Sequence, residues 1–592
     1  MQIKGFRRSR KHVRTSRFGV EPLEARVVLS AVASAYDMGT PTLIDVWVDP
    51  QAGSDSNSGA SRGQALHSLG EAWDRIPSGT PLSAGYHIHL AAGDYSAALL
   101  PSNGWTSDRV GTYAAPIWID ASDGPLGARL HGALNLQNDS YVYLQGLDFV
   151  TDRGASGGGN VLQIASDDHI LVRSCRLNGN DGSTNTAQET FKGNQCQYVY
   201  VESSDFGGAF WFGLDFVAVE YGHIINSRIH DTGDDGLVLK GGTAQFDVMG
   251  NTIERIGNIG FAAGQGAGFE FMVAPWLHYE AYDLKFVDNV IRDVQNAGMA
   301  VRGGYDILLA DNTLYRVGQS QGSGASMLLF SPGGRTCDGD AAACAIRHAE
   351  GGWGPTQPGQ GGEWIPNKNV YVYDNVLDNP AGSATMWETV SVFGPRSVPA
   401  DSNIPSPVRS DDNLVIRGNI LWNGAPDHNL GPTDPATDAR WRADNAVGTI
   451  EPQFVDAVGG DFTPLPGGNL AGLSSLAIPG FTGGDLPLRP PAPQGDLSNL
   501  VSADARNNPR SDASPPGAFV SADSSQPGPP SPPPAPVPIP GPAPPPVSIS
   551  PPTPVAPPVV HGRSPKQHTP KPPKFHVPKP PSAHHHKPSR HR

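Results

Sequence analysis

A short apolar strand followed by a small polar residue and another apolar one recurs through the middle of the chain. It reads "YLQGLDF" (143 to 149), "LVRSCRL" (171 to 177), "YVESSDF" (200 to 206), "IINSRI" (224 to 229) and "DVMGNTI" (247 to 253). It continues as "FVDNVI" (286 to 291), "LLADNTL" (308 to 314), "YVYDNVL" (371 to 377) and "VIRGNIL" (415 to 421). Aligned, these place Leu147, Cys175, Ser204, Ser227, Asn251, Asn289, Asn312, Asn375 and Asn419 at one equivalent site, in steps of 28, 29, 23, 24, 38, 23, 63 and 44 residues. Fixed-period similarity of this kind is the signature of stacked repeats, each of which buries its apolar face only against its neighbours.

A base period near 23 residues, with the excess falling in discrete insertions, fits coils of three short strands with alternate residues pointing inward. The expected fold is therefore all-β, a right-handed parallel β-helix (solenoid). Leucine-rich repeats have a similar period but need regular Leu spacing and a helix in each repeat. The five asparagines from Asn251 onward are expected to stack and bond the backbone of neighbouring coils. Gly at 71 residues, Pro at 58 and only 17% charged residues fit many turns rather than a helical bundle. Upstream, "QALHSLGEAWDRI" (64 to 76) sets Leu66, Leu69, Trp73 and Ile76 on one helical face. That helix is expected to cap the stack, whose end would otherwise expose unpaired strand edges.

These signals divide the chain into an export segment (1–35), an N-terminal cap with the first coils (36–120), the β-helix (121–480), a closing segment (481–524), a Pro-rich linker (525–560) and a disordered tail (561–592). The tail carries eight Lys or Arg, seven His, including "HHH" at 584 to 586, and no acid. It would either remain solvated or hold an anionic cell-envelope polymer. A net charge of −15 excludes a general nucleic-acid binder. No run of 18 or more apolar residues offers a membrane span, and a monomer is expected. Cys337 and Cys344 flank a short loop and would pair in an oxidising compartment, whereas Cys175 falls on a core position.

The stretch "DTGDDGLVLKGG" (231 to 242) concentrates acids beside a lysine. Carrying register back from the Asn site aligns "GLVLK" (236 to 240), "GFEFM" (268 to 272) and "GMAVR" (298 to 302), sending Val238, Lys240, Glu270, Met272, Ala300 and Arg302 outward. "GLDFV" (213 to 217) adds Asp215 to the Val238 row, and "ETFKG" (189 to 193) adds Lys192 to the Lys240 row. Coils about 4.8 Å apart would set Lys240 and Arg302 about 10 Å apart, a span of a sugar or two. Elimination at a uronate needs a base, offered by Lys240, and a cation for the substrate carboxylate, offered by Arg302, with Glu270 between them. Asp215, Asp231, Asp234 and Asp235 offer oxygen ligands for Ca²⁺.

The lead-in "VDPQAGSDSNSGASRGQALHSLGEAWDRIPSG" (48 to 79) resembles the N-terminal cap of extracellular β-helix proteins related to family 9 polysaccharide lyases, a likeness running over roughly residues 45 to 520. That resemblance implies a pectate lyase-like site, with Lys240 as base and Asp215, Asp234 and Asp235 as the calcium cluster. Val238 stands where the family has a further acid. "PLEARVVLSA" (22 to 31) resembles the LEPR-x-LL type N-terminal sorting segment common in planctomycete exported proteins, which implies export to the cell surface or beyond.

"GDDGLVLKGG" is also similar to the "GDDC.AIK.G" segment of polygalacturonase-type hydrolases, in which Asp234 and Asp235 would be acid and base. The companion "NTD", "GHG" and "RIK" motifs are not found. A third reading keeps the same solenoid as a non-catalytic glycan-binding or cell-surface structural protein, with the acids as turn residues and the lysine solvated. The long steps carry "APWLHYEAY" (274 to 282) and residues 333 to 364. Trp276, Tyr279, Trp353 and Trp364 there either stack on sugars or pack the loops onto the coils.

Overall fold

Three short strands, each turning into the next, complete one lap of the chain and bring it back beside its starting point. The computed structural model describes residues 35–151, 159–180, 186–322, 324–353, 363–398, 402–481, 499–511 and 513–520. The export segment up to residue 34, the Pro-rich linker and the basic tail lie outside these residues. In a representative coil, Leu237–Lys240, Thr243–Met249 and Thr252–Ile256 are followed by Phe261–Ala263, which pairs in parallel with the first. Among the described residues this gives sheets A and B of twelve strands and sheet C of nine, all parallel. Sheet A runs from Leu43–Val48 to Asp412–Arg417, sheet B from Gly93–Tyr95 to Ala446–Val447, and sheet C from Leu134–Gln137 to Val390–Val392.

The alternation predicted from the sequence fills the interior. In the representative coil Leu237, Leu239, Phe246, Val248, Ile253 and Ile256 all join one continuous core. Burying each such side chain contributes about 1.5–3 kcal/mol. The ladder expected between sheets A and B is also present. Cys175 N donates to Ser204 Oγ at 3.1 Å, Ser204 N to Ser227 Oγ at 3.1 Å, and Ser227 N to Asn251 Oδ1 at 2.9 Å. Asn251, Asn289, Asn312 and Asn375 then each donate N–H to the next asparagine's Oδ1, at 2.9–3.0 Å, as far as Asn419. A sixth asparagine, Asn445, continues the series by accepting from Asn419 N at 3.0 Å. The residue before each ladder position is left-handed, with φ between 48° and 71° from Gly146 to Gly418. Glycine fills that conformation without strain at Gly250 and Gly418, and short polar residues such as Asp288, Asp311 and Asp374 fill it elsewhere.

Helix α1 is shorter than the periodicity predicts. It spans Leu69–Asp74, with the Ser68 side chain accepting from Glu71 N, and is preceded by a 3₁₀ turn at Arg62–Gln64. The predicted face is nevertheless buried, with Leu66, Leu69, Trp73 and Ile76 in the core. Leu66 gets there by bridging to Val48 rather than as part of a helix. Helix α2 (Ala341–Ala349) lies in the long insertion, and α3 (Pro435–Asp444) delivers Asn445. Cys337 and Cys344 form a disulfide, while Cys175 and Cys196 are free and buried. No helix among the described residues is long and apolar enough to cross a membrane.

The closing segment returns to the coils at the ladder edge. Arg510, only 3% exposed, reaches Asp288 at 2.7 Å and Asp311 at 3.2 Å, and Ala518 N donates to Thr313 Oγ1 at 3.0 Å. Beside them Leu476 N donates to Asp374 Oδ2 at 3.0 Å.

Replacing Asn312 with Ala would leave Asn289 N–H without its acceptor and Phe286 C=O without its donor, both buried. Unpartnered groups of this kind cost about 1–3 kcal/mol each. The expected result is a loss of about 3 kcal/mol or more in urea-induced unfolding, with the circular dichroism of the folded state unchanged.

Candidate functional site on the outer face of sheet C

Sheet C is where extra chain collects. Residues 264–280, 332–367 and 393–411 each follow a sheet C strand and precede a sheet A strand, so the insertions stand along one edge of that sheet. A small sheet of Gly266–Gly268, Gly333–Thr336 and Glu363–Ile365 ties two of them together. Arg335, fully buried, fixes them to the coils. It pairs with Glu280 at 3.2 Å and donates to the Leu277 and Leu-flanking His278 carbonyls at 2.9 and 2.7 Å, while Glu280 accepts from Gly241 N at 3.1 Å. This bond sits one residue after Lys240.

The register across the face is Lys192↔Asp215↔Val238↔Ala262↔Ala300. Two sequence expectations are corrected by it. Lys192 lies in the Asp215 row, not the Lys240 row. "GFEFM" is not a sheet strand: the partner of Leu237–Leu239 is Phe261–Ala263, and Phe269–Phe271 is a 3₁₀ turn inside the insertion. The insertion follows the sheet C strand rather than preceding it, so counting back from Asn289 selects a chance apolar alternation. Phe269 is buried beneath Arg335, and Phe271, expected inward, is 50% exposed. Glu270 consequently sits on the wall, accepting from Asp338 N at 2.8 Å beside the Cys337–Cys344 disulfide, rather than between Lys240 and Arg302.

Lys240 and Asp215 do come together. Asp215, 1% exposed, holds Lys192 Nζ on one oxygen and Lys240 Nζ, 3.2 Å away, on the other. Lys240 Nζ also donates to Gln265 Oε1 at 2.9 Å and lies 5.0 Å from the Phe212 ring. Arg302 stands at the same strand position two coils on, and makes no ion pair among the described residues. Val238 is fully buried in an outer apolar strip with Phe212, Ile259 and Ala300.

Asp234 and Asp235 both accept from Asn258 Nδ2 at 2.7 Å, and Asp235 also accepts from Ile259 N at 2.9 Å. Burial, then the neighbouring Asp234, pushes the Asp235 carboxyl well above the usual carboxylate range. Burial likewise pushes Glu189, which faces the charges of Lys192, Asp215 and Lys240, up to about 7. Asp231 lies on a sheet B strand instead. Arg255, bonded to it at 2.7 and 2.8 Å, is the main cause holding it at about 2, against the opposing effect of burial.

The four aspartates do not form the expected Ca²⁺ site. Both oxygens of Asp215 face ammonium groups, Asp231 is committed to Arg255, and only Asp234 and Asp235 share a partner. Among the described residues, ligand atoms converge within 4.8 Å in two other groups, Asp45 with His87 and His89, and Glu270 with Cys337 and Cys344, whose sulfurs are joined.

Beside the acids is an open groove of about 500 Å³ lined by Asn180, Thr186, Phe210, Trp211, Asp231 and Asp234. Phe210 and Trp211 are 59% and 43% exposed, and "AFWFG" (209 to 213) was the available signal for them. Of the aromatics singled out from the sequence, Trp276 and Tyr279 are buried against Tyr282 and Tyr305, and Trp353 packs edge-on to His278. Trp364 remains 41% exposed, with Arg396 over its ring. Glu189 and Gln265 carried no sequence signal of their own, since neither repeats with the coils.

Because Glu189 binds its proton more tightly folded than unfolded, its contribution to stability falls as pH rises from about 4.5 to about 7. Glu189→Gln is expected to remove that decline, making the variant relatively more stable at pH 8 than at pH 4.5 by about 3 kcal/mol at most. Melting temperatures of both proteins across that range provide the check.

No family model matches the chain, and no curated protein matches it. Among solved structures it is similar to the pectate lyase Pel9A at 14% identity over 82% of this chain and 98% of that one, with a TM-score of 0.43. It is similar to a rhamnogalacturonan lyase at 15% identity over 48% and 84%, with a TM-score of 0.29. The A-module of Azotobacter vinelandii mannuronan C-5 epimerase AlgE4 matches at 12% identity over 59% and 87%, with a TM-score of 0.32.

Proposed function

We propose that this is an exported polysaccharide-active β-helix protein that cleaves an acidic, uronate-containing glycan by β-elimination on the outer face of sheet C. The observation that carries the reading is the cationic set on that face: Lys192 and Lys240 share the single carboxylate of Asp215, and Arg302 makes no ion pair among the described residues. Lys192 and Arg302 place positive charge on either side of Lys240, and burial raises the Glu189 and Asp235 carboxyls so that they oppose it little below about pH 7, where an anionic chain would lie. Arg302 would hold the uronate carboxylate through its planar guanidinium. Lys240 would serve as the base for the proton α to that carboxylate as the C–O bond at the β carbon breaks and the departing oxygen takes a proton from water, and Gln265 and Asp215 would keep Nζ aimed. Lys192 would stabilise the negative charge that develops on the carboxylate. Phe210 and Trp211 offer sugar rings a flat surface at the groove.

A hydrolase built on Asp234 and Asp235 is the second reading, favoured by the raised Asp235 carboxyl. The sharing of one amide nitrogen at 2.7 Å by both acids ranks it lower. An inverting pair needs about 6.5–9.5 Å between carboxyls to admit water. The basic tail would tether the protein to an anionic envelope polymer through the Pro-rich linker.

Incubation with a panel of uronate polymers in the presence of a chelator is expected to give unsaturated, ultraviolet-absorbing products. Lys240→Ala should lower that rate by about 100-fold or more while leaving the circular dichroism spectrum unchanged. Reducing ends without ultraviolet absorbance would transfer the chemistry to Asp234 and Asp235. Intact polymer that stays bound would make the protein a binding module.

A further inference from the structure

A separate cluster lies on the outer face of sheet A, in the first three coils. Strands Leu43–Val48, Gly85–Leu90 and Ile117–Ala121 are adjacent there, and their inward residues Val46, Ile88, Leu90, Ile117 and Ile119 fill the core. The register sets Asp45 beside His87 and Trp118 in one row, and Trp47 beside His89 and Asp120 in the next. Two histidines two residues apart thus occupy the central strand, with an acid on one diagonal and a tryptophan on the other.

The contacts follow this grid. His89 Nε2 lies 3.0 Å from Asp45 Oδ1, and His89 Nδ1 lies 3.3 Å from Asp120 Oδ1. His87 Nε2 is 3.1 Å from Asp120 Oδ2 but out of hydrogen-bond alignment with it. His87 Nε2 and Asp120 Oδ1 are both enclosed without a hydrogen-bond partner. Trp47 stacks on His89 at 4.4 Å, Trp118 stacks on His87 at 4.3 Å, and the two imidazoles are 3.8 Å apart. One ligand atom from each of Asp45, His87 and His89 falls within 4.8 Å of the others.

We infer that Asp45, His87 and His89 bind a divalent first-row transition-metal ion, with Asp120 holding the His89 ring by its other nitrogen. Two imidazoles and a carboxylate are a donor set for zinc-like ions rather than for calcium, and three protein ligands leave one coordination position open. His89 Nε2 and Asp45 Oδ1, 3.0 Å apart, are close to one edge of a tetrahedron around an ion with bonds of about 2.0 Å, and the His87 donor lies within 4.8 Å of both. Asp120 acts as a positioning residue, the carboxylate behind a metal-bound histidine. The tryptophans fix both ring planes, so little ordering is needed on binding. Asp45, at 59% side-chain exposure, leaves the site open to solvent.

The test uses full-length protein stripped of metal and titrated with Co²⁺, followed by displacement with Zn²⁺. The wild type is expected to give intense visible bands of a low-coordinate cobalt site at one equivalent, quenched by Zn²⁺. His87→Gln and Asp45→Asn should lose them. Asp120→Asn should keep the bands with affinity weakened by about 10- to 100-fold. Cobalt held by the tail histidines contributes equally to all variants and cancels in the difference spectra. Asp45 is exposed, so its variant guards against loss through misfolding, checked by equal metal-free melting temperatures. Unchanged bands in both ligand variants, or none in the wild type, would overturn the proposal.

Discussion

At every passage from sheet A to sheet B the backbone must turn sharply, and the turn leaves an inward N–H that no strand can satisfy. The Ser and Asn ladder from Cys175 to Asn445 answers that problem by lending each coil's N–H an oxygen from the next coil. The same asparagine amides donate to carbonyls of the preceding coil, as Asn312 does to Phe286 and Asn375 to Leu309. Each coil is thereby fixed in height and register to both neighbours, and an unpaired buried amide would be costly at any break. Side chains on the outer faces inherit this register, which is why Lys192, Asp215 and Val238 form a straight row.

The turn from sheet C to sheet A carries such bonds only in places, from Asp139 N to Asp167 Oδ1, Val219 N to Thr243 Oγ1 and Gly303 N to Asn367 Oδ1, and it is where the chain tolerates length. Insertions there leave the coils undisturbed, since each enters and leaves at neighbouring points of the stack. They also convert one flat face into a walled one. The buried Arg335–Glu280 pair is the junction, because it binds two insertions to each other and to Gly241, beside Lys240. The geometry around Lys240 therefore depends on residues up to about a hundred positions away in sequence.

Much of this was legible before the structure, and the failures have identifiable causes. The ladder was visible because its requirement repeats: one small polar residue in a fixed relation to alternating apolar ones. Asn445 escaped because α3 separates it from the usual strand before the ladder. Glu270 was misplaced because "FEF" imitates a strand, whereas the true strand "FAA" (261 to 263) is short and has small residues. Local alternation cannot say on which side of an inserted loop a strand falls. The nearness of Lys240 to Asp215 follows from the register of "GLDFV" and "GLVLK", whereas the four aspartates do not converge, because side-chain convergence is not encoded by spacing. Asp231 is close to Asp234 in sequence but belongs to a different sheet. The exposed Phe210 and Trp211 sit in a turn, outside any periodic pattern.

The return of the closing segment to the ladder edge affects the order in which the molecule can be completed. Asp288 and Asp311 enter the stack in mid-chain, where burial pushes both carboxyls upward and Arg510 opposes that push. That arginine is synthesised about two hundred residues later than the acids it meets. Coils emerging in order from a ribosome would therefore carry an unfinished electrostatic seam along this edge, closed only when the segment around Arg510 arrives.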